Sequence, residues 1–98
     1  MNFKDISIQE FKNKPINNFL IIDIRDRDSY NNGKIPNAKN YNSEDIINLS
    51  KQNKKECDIL IYCYHGNSSR KVACFLSESG FYNVYSLIGG FSEWKNSL

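Results

Sequence analysis

The chain has 98 residues, of which 40% are hydrophobic and 24% charged, so it can bury one core but not two, and residues 1–98 read as a single folded domain rather than a disordered chain. The formal net charge is only +2, with basic residues interleaved among Asp and Glu, which gives nucleic-acid binding no footing. The longest apolar run, Phe19-Leu20-Ile21-Ile22, is far too short to span a bilayer, and the start Met-Asn-Phe-Lys-Asp-Ile lacks a secretory pattern, so a soluble, cytoplasmic protein without a membrane partner is expected.

In chain order, Ser7-Ile8-Gln9-Glu10 has the form of a capping box and predicts a short helix near residues 8–12. Phe19 to Asp23 is short, apolar and polar-terminated, the pattern of a buried strand. A short helix is expected over Arg27–Asn31, closed by Gly33, followed by a minor strand over Lys39–Tyr41. Ser43 is the expected cap of a helix reaching about Gln52, with Ile46, Ile47 and Leu49 on its apolar face. Ile59-Leu60-Ile61-Tyr62 reads as a second buried strand running directly into Cys63. From Ser68 to Ser79, Val72, Ala73, Phe75 and Leu76 recur at helical spacing, with Gly80 as the stop. Asn83–Leu87 predicts a last strand, Gly89-Gly90 a turn, and Phe91–Lys95 a final helix. Strands alternating with helices imply an α/β fold with a mostly parallel sheet covered on both faces.

The three cysteines, Cys57, Cys63 and Cys74, have spacings that match neither a zinc site nor a secreted disulfide framework, so free thiols in a reducing compartment are expected and no metal is implied. Cys63 differs from the other two in its setting. In a parallel sheet, ligands bind beyond the carboxyl ends of the strands, and Cys63 lies at such an end, just before a helix N-terminus. A thiol reacts as its thiolate, which a helix start and nearby cations such as Arg70 and Lys71 stabilise. In the loop Tyr64-His65-Gly66-Asn67-Ser68-Ser69, Gly66 permits the backbone angles of a chain curling around an anion, while small Asn67, Ser68 and Ser69 leave N–H groups open and add donors. The bland alternative is a buried structural thiol, which is the reading for Cys74 on its apolar helix. Cys57 reads as a residue before a strand. His65 is read as lining the pocket, because two positions along one tight loop is an awkward place for a general base.

Cys63-Tyr64-His65-Gly66-Asn67-Ser68-Ser69, the apolar helix to Gly80, Val84-Tyr85-Ser86-Leu87 and Gly89-Gly90-Phe91-Ser92-Glu93-Trp94 together resemble single-domain rhodaneses, most closely the GlpE-type thiosulfate sulfurtransferases. Upstream, Asp23-Ile24-Arg25-Asp26 and Gly33-Lys34-Ile35-Pro36-Asn37-Ala38 resemble the family's Asp-x-Arg and Gly-His-Ile-Pro-Gly-Ala segments, with Ser29, Lys34 and Asn37 departing from its usual Glu, His and Gly. The resemblance implies a three-layer rhodanese-like fold with a five-stranded sheet. It implies Cys63 as nucleophile, loop residues Tyr64 to Ser69 with Arg70 as the binding site for a small anionic sulfur donor such as thiosulfate, and Asp23 and Arg25 as structural support. It implies a persulfide intermediate, an acceptor that is cyanide or a thiol, the latter of a thioredoxin-like kind, and no metal or organic cofactor.

Two other functions stay in view. Phosphatases of the same fold use a Cys loop with an Arg after five residues; here that place is Ser69, and the Arg follows at Arg70. The other is a non-catalytic module that binds a partner or senses redox state; retention of Cys63 argues against it, although a free, acidic thiol is also what a redox sensor needs.

Overall fold

The two most apolar runs, Leu20 to Ile22 and Ile59 to Tyr62, have no polar side to offer water, which demands cover on both faces. In the computed structural model, which describes residues 3–98, they lie at the centre of one parallel sheet. The elements are β1 (Lys4–Ile6), α1 (Ile8–Lys12), a 3-10 turn (Ile16–Asn18), β2 (Phe19–Asp23), α2 (Arg27–Asn32), β3 (Lys39–Asn40), α3 (Ser43–Ser50), β4 (Asp58–Tyr62), α4 (Ser68–Glu78), β5 (Asn83–Leu87) and α5 (Gly90–Asn96). The strand order is β1-β5-β4-β2-β3, with every pairing parallel.

Alternation along the strands divides the core into two layers. Leu60 and Tyr62 of β4, beside Ile21 and Asp23 of β2, face one side, where Phe11 of α1 and Phe91 and Trp94 of α5 cover them. Ile59 and Ile61 face the other, against Ile46 and Leu49 of α3 and Ala73 and Leu76 of α4. The sheet is therefore the middle of three layers.

Most boundaries follow the sequence expectations, and the exceptions have local causes. The Ser7–Glu10 capping box forms as expected. Helix α3 is capped by Asn42 rather than Ser43: the Asn42 side chain accepts the Asp45 N–H and the Asp45 carboxylate accepts the Asn42 N–H, both at 2.9 Å, a reciprocal pair one residue earlier than expected. Helix α4 ends with Phe81 N–H on the Leu76 carbonyl and Gly80 N–H on that of Ser77, the paired closure typical of a glycine stop. Two expected core side chains, Ile47 and Phe75, are exposed. Strand β1 carries no sequence signal because, with only three residues, it buries only Ile6 at the sheet edge. Among the described residues, no helix is long and apolar enough to cross a membrane.

Leu60 has no solvent exposure and lies in the central strand. Leu60→Ala should lower the unfolding free energy by about 2–5 kcal/mol, the cost of lost apolar burial plus the cavity left behind. Chemical denaturation measures it, and a loss below about 1 kcal/mol would show that the core closes over the gap.

Candidate active site

Strand β4 delivers Cys63 to the carboxyl edge of the sheet, and the chain then turns so that its own amides point back at the sulfur. Gly66 N–H donates to Cys63 Sγ at 3.1 Å and Ser69 N–H, in the first turn of α4, at 3.4 Å. The turn depends on Gly66, whose φ of +100° favours glycine and whose Cβ, were there one, would stand 3.1 Å from the Gly89 nitrogen. The far wall is built as tightly: Phe91 N–H donates to the Cys63 carbonyl and Ser92 N–H to that of Tyr64, each at 2.9 Å. At Gly90, with φ +60°, a Cβ would lie 2.5 Å from the Cys63 oxygen, so α5 can approach the Cys63 backbone this closely only through glycine.

Two opposing influences set the acidity of Cys63. Burial pushes the thiol up, whereas hydrogen bonds from the Ser69 side chain and from the Ser69, Gly66 and His65 backbone pull it down, and the net result lies below the ordinary value. For the exposed Cys57, burial of part of the thiol combined with the Asp58 and Glu56 charges leaves it above the ordinary value. Cys74 is half-buried on α4 rather than locked in the core.

The remaining loop residues divide by where they point. Ser69 is fully buried; its hydroxyl lies 3.5 Å from Sγ and 2.8 Å from that of Ser86 on β5. Tyr64, His65, Asn67 and Ser68 are exposed. His65 packs against the Tyr64 ring and, with Gly66, Asn67 and Arg70, lines a cavity of about 340 Å³ beside the loop. Arg70 turns outward, its Nε 3.2 Å from Asp5 of β1. A larger cavity of about 690 Å³ lies between α3, α4 and the end of β2, with Phe75 and Ile47 on its walls, and includes none of Cys63 to Arg70.

Beneath the loop, Asp23 and Arg25 form a buried ion pair. The Asp23 carboxylate accepts from Arg25 Nε and Nη2, with the closest contact 2.7 Å, from the Arg25 N–H at 2.8 Å and from the Tyr62 hydroxyl at 2.6 Å. Arg25 Nη2 also donates to the Gly33 carbonyl at 2.6 Å, while the Ile35 N–H donates to the Tyr62 oxygen at 3.2 Å. Burial, with the Asp23 carboxylate beside it, drives the Tyr62 hydroxyl far up, so it stays protonated and donates. The guanidinium lies 4.1 Å from the Phe91 ring centre and 5.8 Å from that of Tyr64, so the pair supports both residues that flank the Cys63 peptide. Tyr62, Phe91 and Ser86 were not among the expected site residues. For Ser86 the available signal was a polar residue two positions from Val84, on the same face of the strand.

The departures in the supporting segment have local explanations. Asn37 adopts φ +70°, a conformation asparagine tolerates better than most residues. Ser29 bonds Asp26 at 2.8 Å, and Lys34 lies over the Tyr30 ring.

The rhodanese-like domain family matches residues 7–97. The chain is 43% identical over 96 residues to the thiosulfate sulfurtransferase GlpE of Coxiella burnetii, covering 97% of this chain and 90% of that protein. To the thiosulfate sulfurtransferase GlpE of Shewanella oneidensis it is 40% identical, covering 98% and 96%. Among solved structures, a rhodanese-like domain protein from Staphylococcus aureus superposes with a TM-score of 0.78 at 30% identity, covering 93% of this chain and 90% of that one. The chain belongs to the rhodanese family. Within it, the near-full-length relatives described above are sulfurtransferases by name.

Two measurements check the site. Iodoacetamide at pH 7 should modify Cys63 well before Cys57 although Cys57 is the more exposed, as peptide mass spectrometry would show; equal rates would remove the claim that the loop activates the thiol. Asp23→Asn should cost about 3–5 kcal/mol of stability by leaving Arg25 without its counter-ion, and a loss below about 1 kcal/mol in chemical denaturation would show the pair to be dispensable.

Proposed function

We propose that this rhodanese-family sulfurtransferase carries sulfane sulfur on Cys63, taking it from thiosulfate and passing it to a thiol or, in assay, to cyanide. The observation that carries the reading is a single sulfur at the end of a parallel strand, held by the amides of Gly66 and Ser69 and acidified by the Ser69 hydroxyl together with those amides. The Cys63 thiolate attacks the outer sulfur of thiosulfate. A bond from Sγ to that sulfur forms, the bond to the sulfonate sulfur breaks, and sulfite leaves with the electron pair. The negative charge passes to the outer sulfur of the persulfide. An acceptor thiolate or cyanide then attacks that sulfur, and Cys63 leaves as a thiolate. Two displacements through a covalent intermediate give ping-pong kinetics, and preorganised loop N–H groups lower the cost of charge in both.

The cavity beside the loop, which His65, Gly66, Asn67 and Arg70 line together with Asp5, supports an entry site for the donor anion. The Arg70 pair with Asp5 is largely exposed and so worth at most about 1 kcal/mol, which leaves the guanidinium free to turn to an arriving dianion. Ser69, buried under Sγ, supports sulfur over phosphate chemistry, because a phosphatase loop needs a forked cation at that place. A thioredoxin-like dithiol suits the acceptor role, and a reducing cytoplasm would keep Cys63 as a thiol.

Incubation with thiosulfate should add one sulfur atom to the wild-type protein and none to Cys63→Ala, read by intact mass; no gain on either protein would overturn the assignment, as would aryl phosphate turnover without thiosulfate activity. Arg70→Ala should raise the KM for thiosulfate about three- to tenfold, the effect of one partly exposed charge, while kcat changes less. An unchanged KM would leave the backbone as the only anion-binding group.

A further inference from the structure

A buried hydroxyl on the inward face of a central strand needs a partner. Ser86 of β5, beside Ile61 of β4, is almost completely excluded from solvent. Its Oγ meets Ser69 Oγ at 2.8 Å, and Ser69 Oγ in turn lies 3.5 Å from Cys63 Sγ and 3.3 Å from the Gly66 carbonyl. Resting on the reading of Cys63 as nucleophile, we propose that Ser86 is a positioning residue for the reaction: acting through Ser69, its hydroxyl holds the Ser69 proton on the Cys63 sulfur whenever that sulfur is an anion.

Each hydroxyl has one proton to give and lone pairs to fill. With Cys63 a thiol, its S–H donates to Ser69 Oγ, and the Ser69 proton goes to the Gly66 carbonyl or to Ser86. When Cys63 loses its proton, that donor disappears. The Ser69 proton turns onto the thiolate, and Ser69 Oγ, with no solvent exposure, must accept from elsewhere. The Ser86 O–H is in place to donate, and the resulting chain from Ser86 through Ser69 to Sγ polarises along its length in a low-dielectric setting. Once sulfur is loaded, the charge moves to the outer sulfur and the Ser69 proton can return to Gly66. The two hydroxyls thus follow the charge on Cys63 without any group of their own titrating.

The charged groups on the surrounding elements are engaged otherwise. Asp23 and Arg25 at the end of β2 bind each other with Tyr62 of β4, and Arg70 of α4 pairs with Asp5 of β1. Glu93 of α5 lies against Gly89, and the exposed His65 packs on Tyr64. In the described hydrogen bonds of the two hydroxyls, Ser69 accepts from the Cys63 thiol, donates to the Gly66 carbonyl and shares a bond with Ser86.

Alkylation of Cys63 by iodoacetamide, resolved by peptide and followed across pH, tests the role in Ser86→Ala, Ser86→Val and Ser86→Thr, and in Ser69→Ala with and without Ser86→Ala, with folding checked by circular dichroism. Ser86→Ala and Ser86→Val should raise the midpoint so that the rate at pH 7 falls about three- to tenfold, the value of one hydrogen bond between neutral hydroxyls. Ser86→Thr has the shape of valine but keeps the hydroxyl and should stay near wild type. Adding Ser86→Ala to Ser69→Ala should change nothing further. An unchanged midpoint in Ser86→Ala and Ser86→Val, equal shifts in Thr and Val, or a Ser86 effect that survives in Ser69→Ala would each overturn the proposal. The readout needs no thiosulfate, so a protein that accepts no sulfur yet shows this pattern loses the proposed function and keeps the role of Ser86. One that loads sulfur with an unmoved midpoint does the reverse.

Discussion

Cys63 is 8% exposed, and a buried site favours the neutral thiol, whereas displacement chemistry needs the anion. The hydrogen bonds that reverse this preference come from backbone amides and one buried hydroxyl, not from a contacting cation. Amides have fixed positions only if the chain that carries them is fixed. Much of the surrounding structure can be understood as the means of fixing it: a parallel strand that ends at Cys63, a helix that starts at Ser68, and a glycine contact that brings α5 onto the Cys63 and Tyr64 carbonyls.

The Asp23–Arg25 pair extends the same logic one layer down. It ties the end of β2 to Tyr62 on β4 and to Gly33 beyond α2, and its guanidinium packs on Phe91 and within reach of Tyr64. A buried pair of this kind contributes little net stability, since desolvation offsets its attraction. Its contribution is geometric: the carboxylate, the guanidinium and the phenol fit together in one arrangement, which sets the floor under the Cys63 loop. Donors fixed in this way are the kind that need not reorganise when charge develops beside them.

Much of this was legible in the sequence because the signals were local. Two apolar runs, a capping box at Ser7 and a cysteine placed between a strand and a glycine-containing loop lead to the parallel sheet, and to the position of Cys63 at its edge, by pattern alone. Less legible were features defined by contacts far apart in the chain. Strand β1 is too short and too polar to announce itself and exists because β5 offers an edge. Ser86 and Tyr62 read as strand residues until the fold brings them beside Ser69 and Asp23. Arg70 illustrates a finer difference: its number places it next to the loop, but helical geometry turns it outward to Asp5, while the neighbouring Ser69 turns in. The expected cap at Ser43 failed for a related reason, because Asn42 with Asp45 completes a reciprocal pair that a single serine does not.

The central claim is that the amides of Gly66 and Ser69 stabilise a thiolate at Cys63, and NMR reads those amides directly. In a pH titration of the 15N-labelled protein, the Gly66 and Ser69 amide resonances should move together with one midpoint below that of an ordinary cysteine, and the movement should vanish in Cys63→Ala. Amides that do not respond to the ionisation of Cys63, or a shared midpoint at or above the ordinary value, would contradict the account.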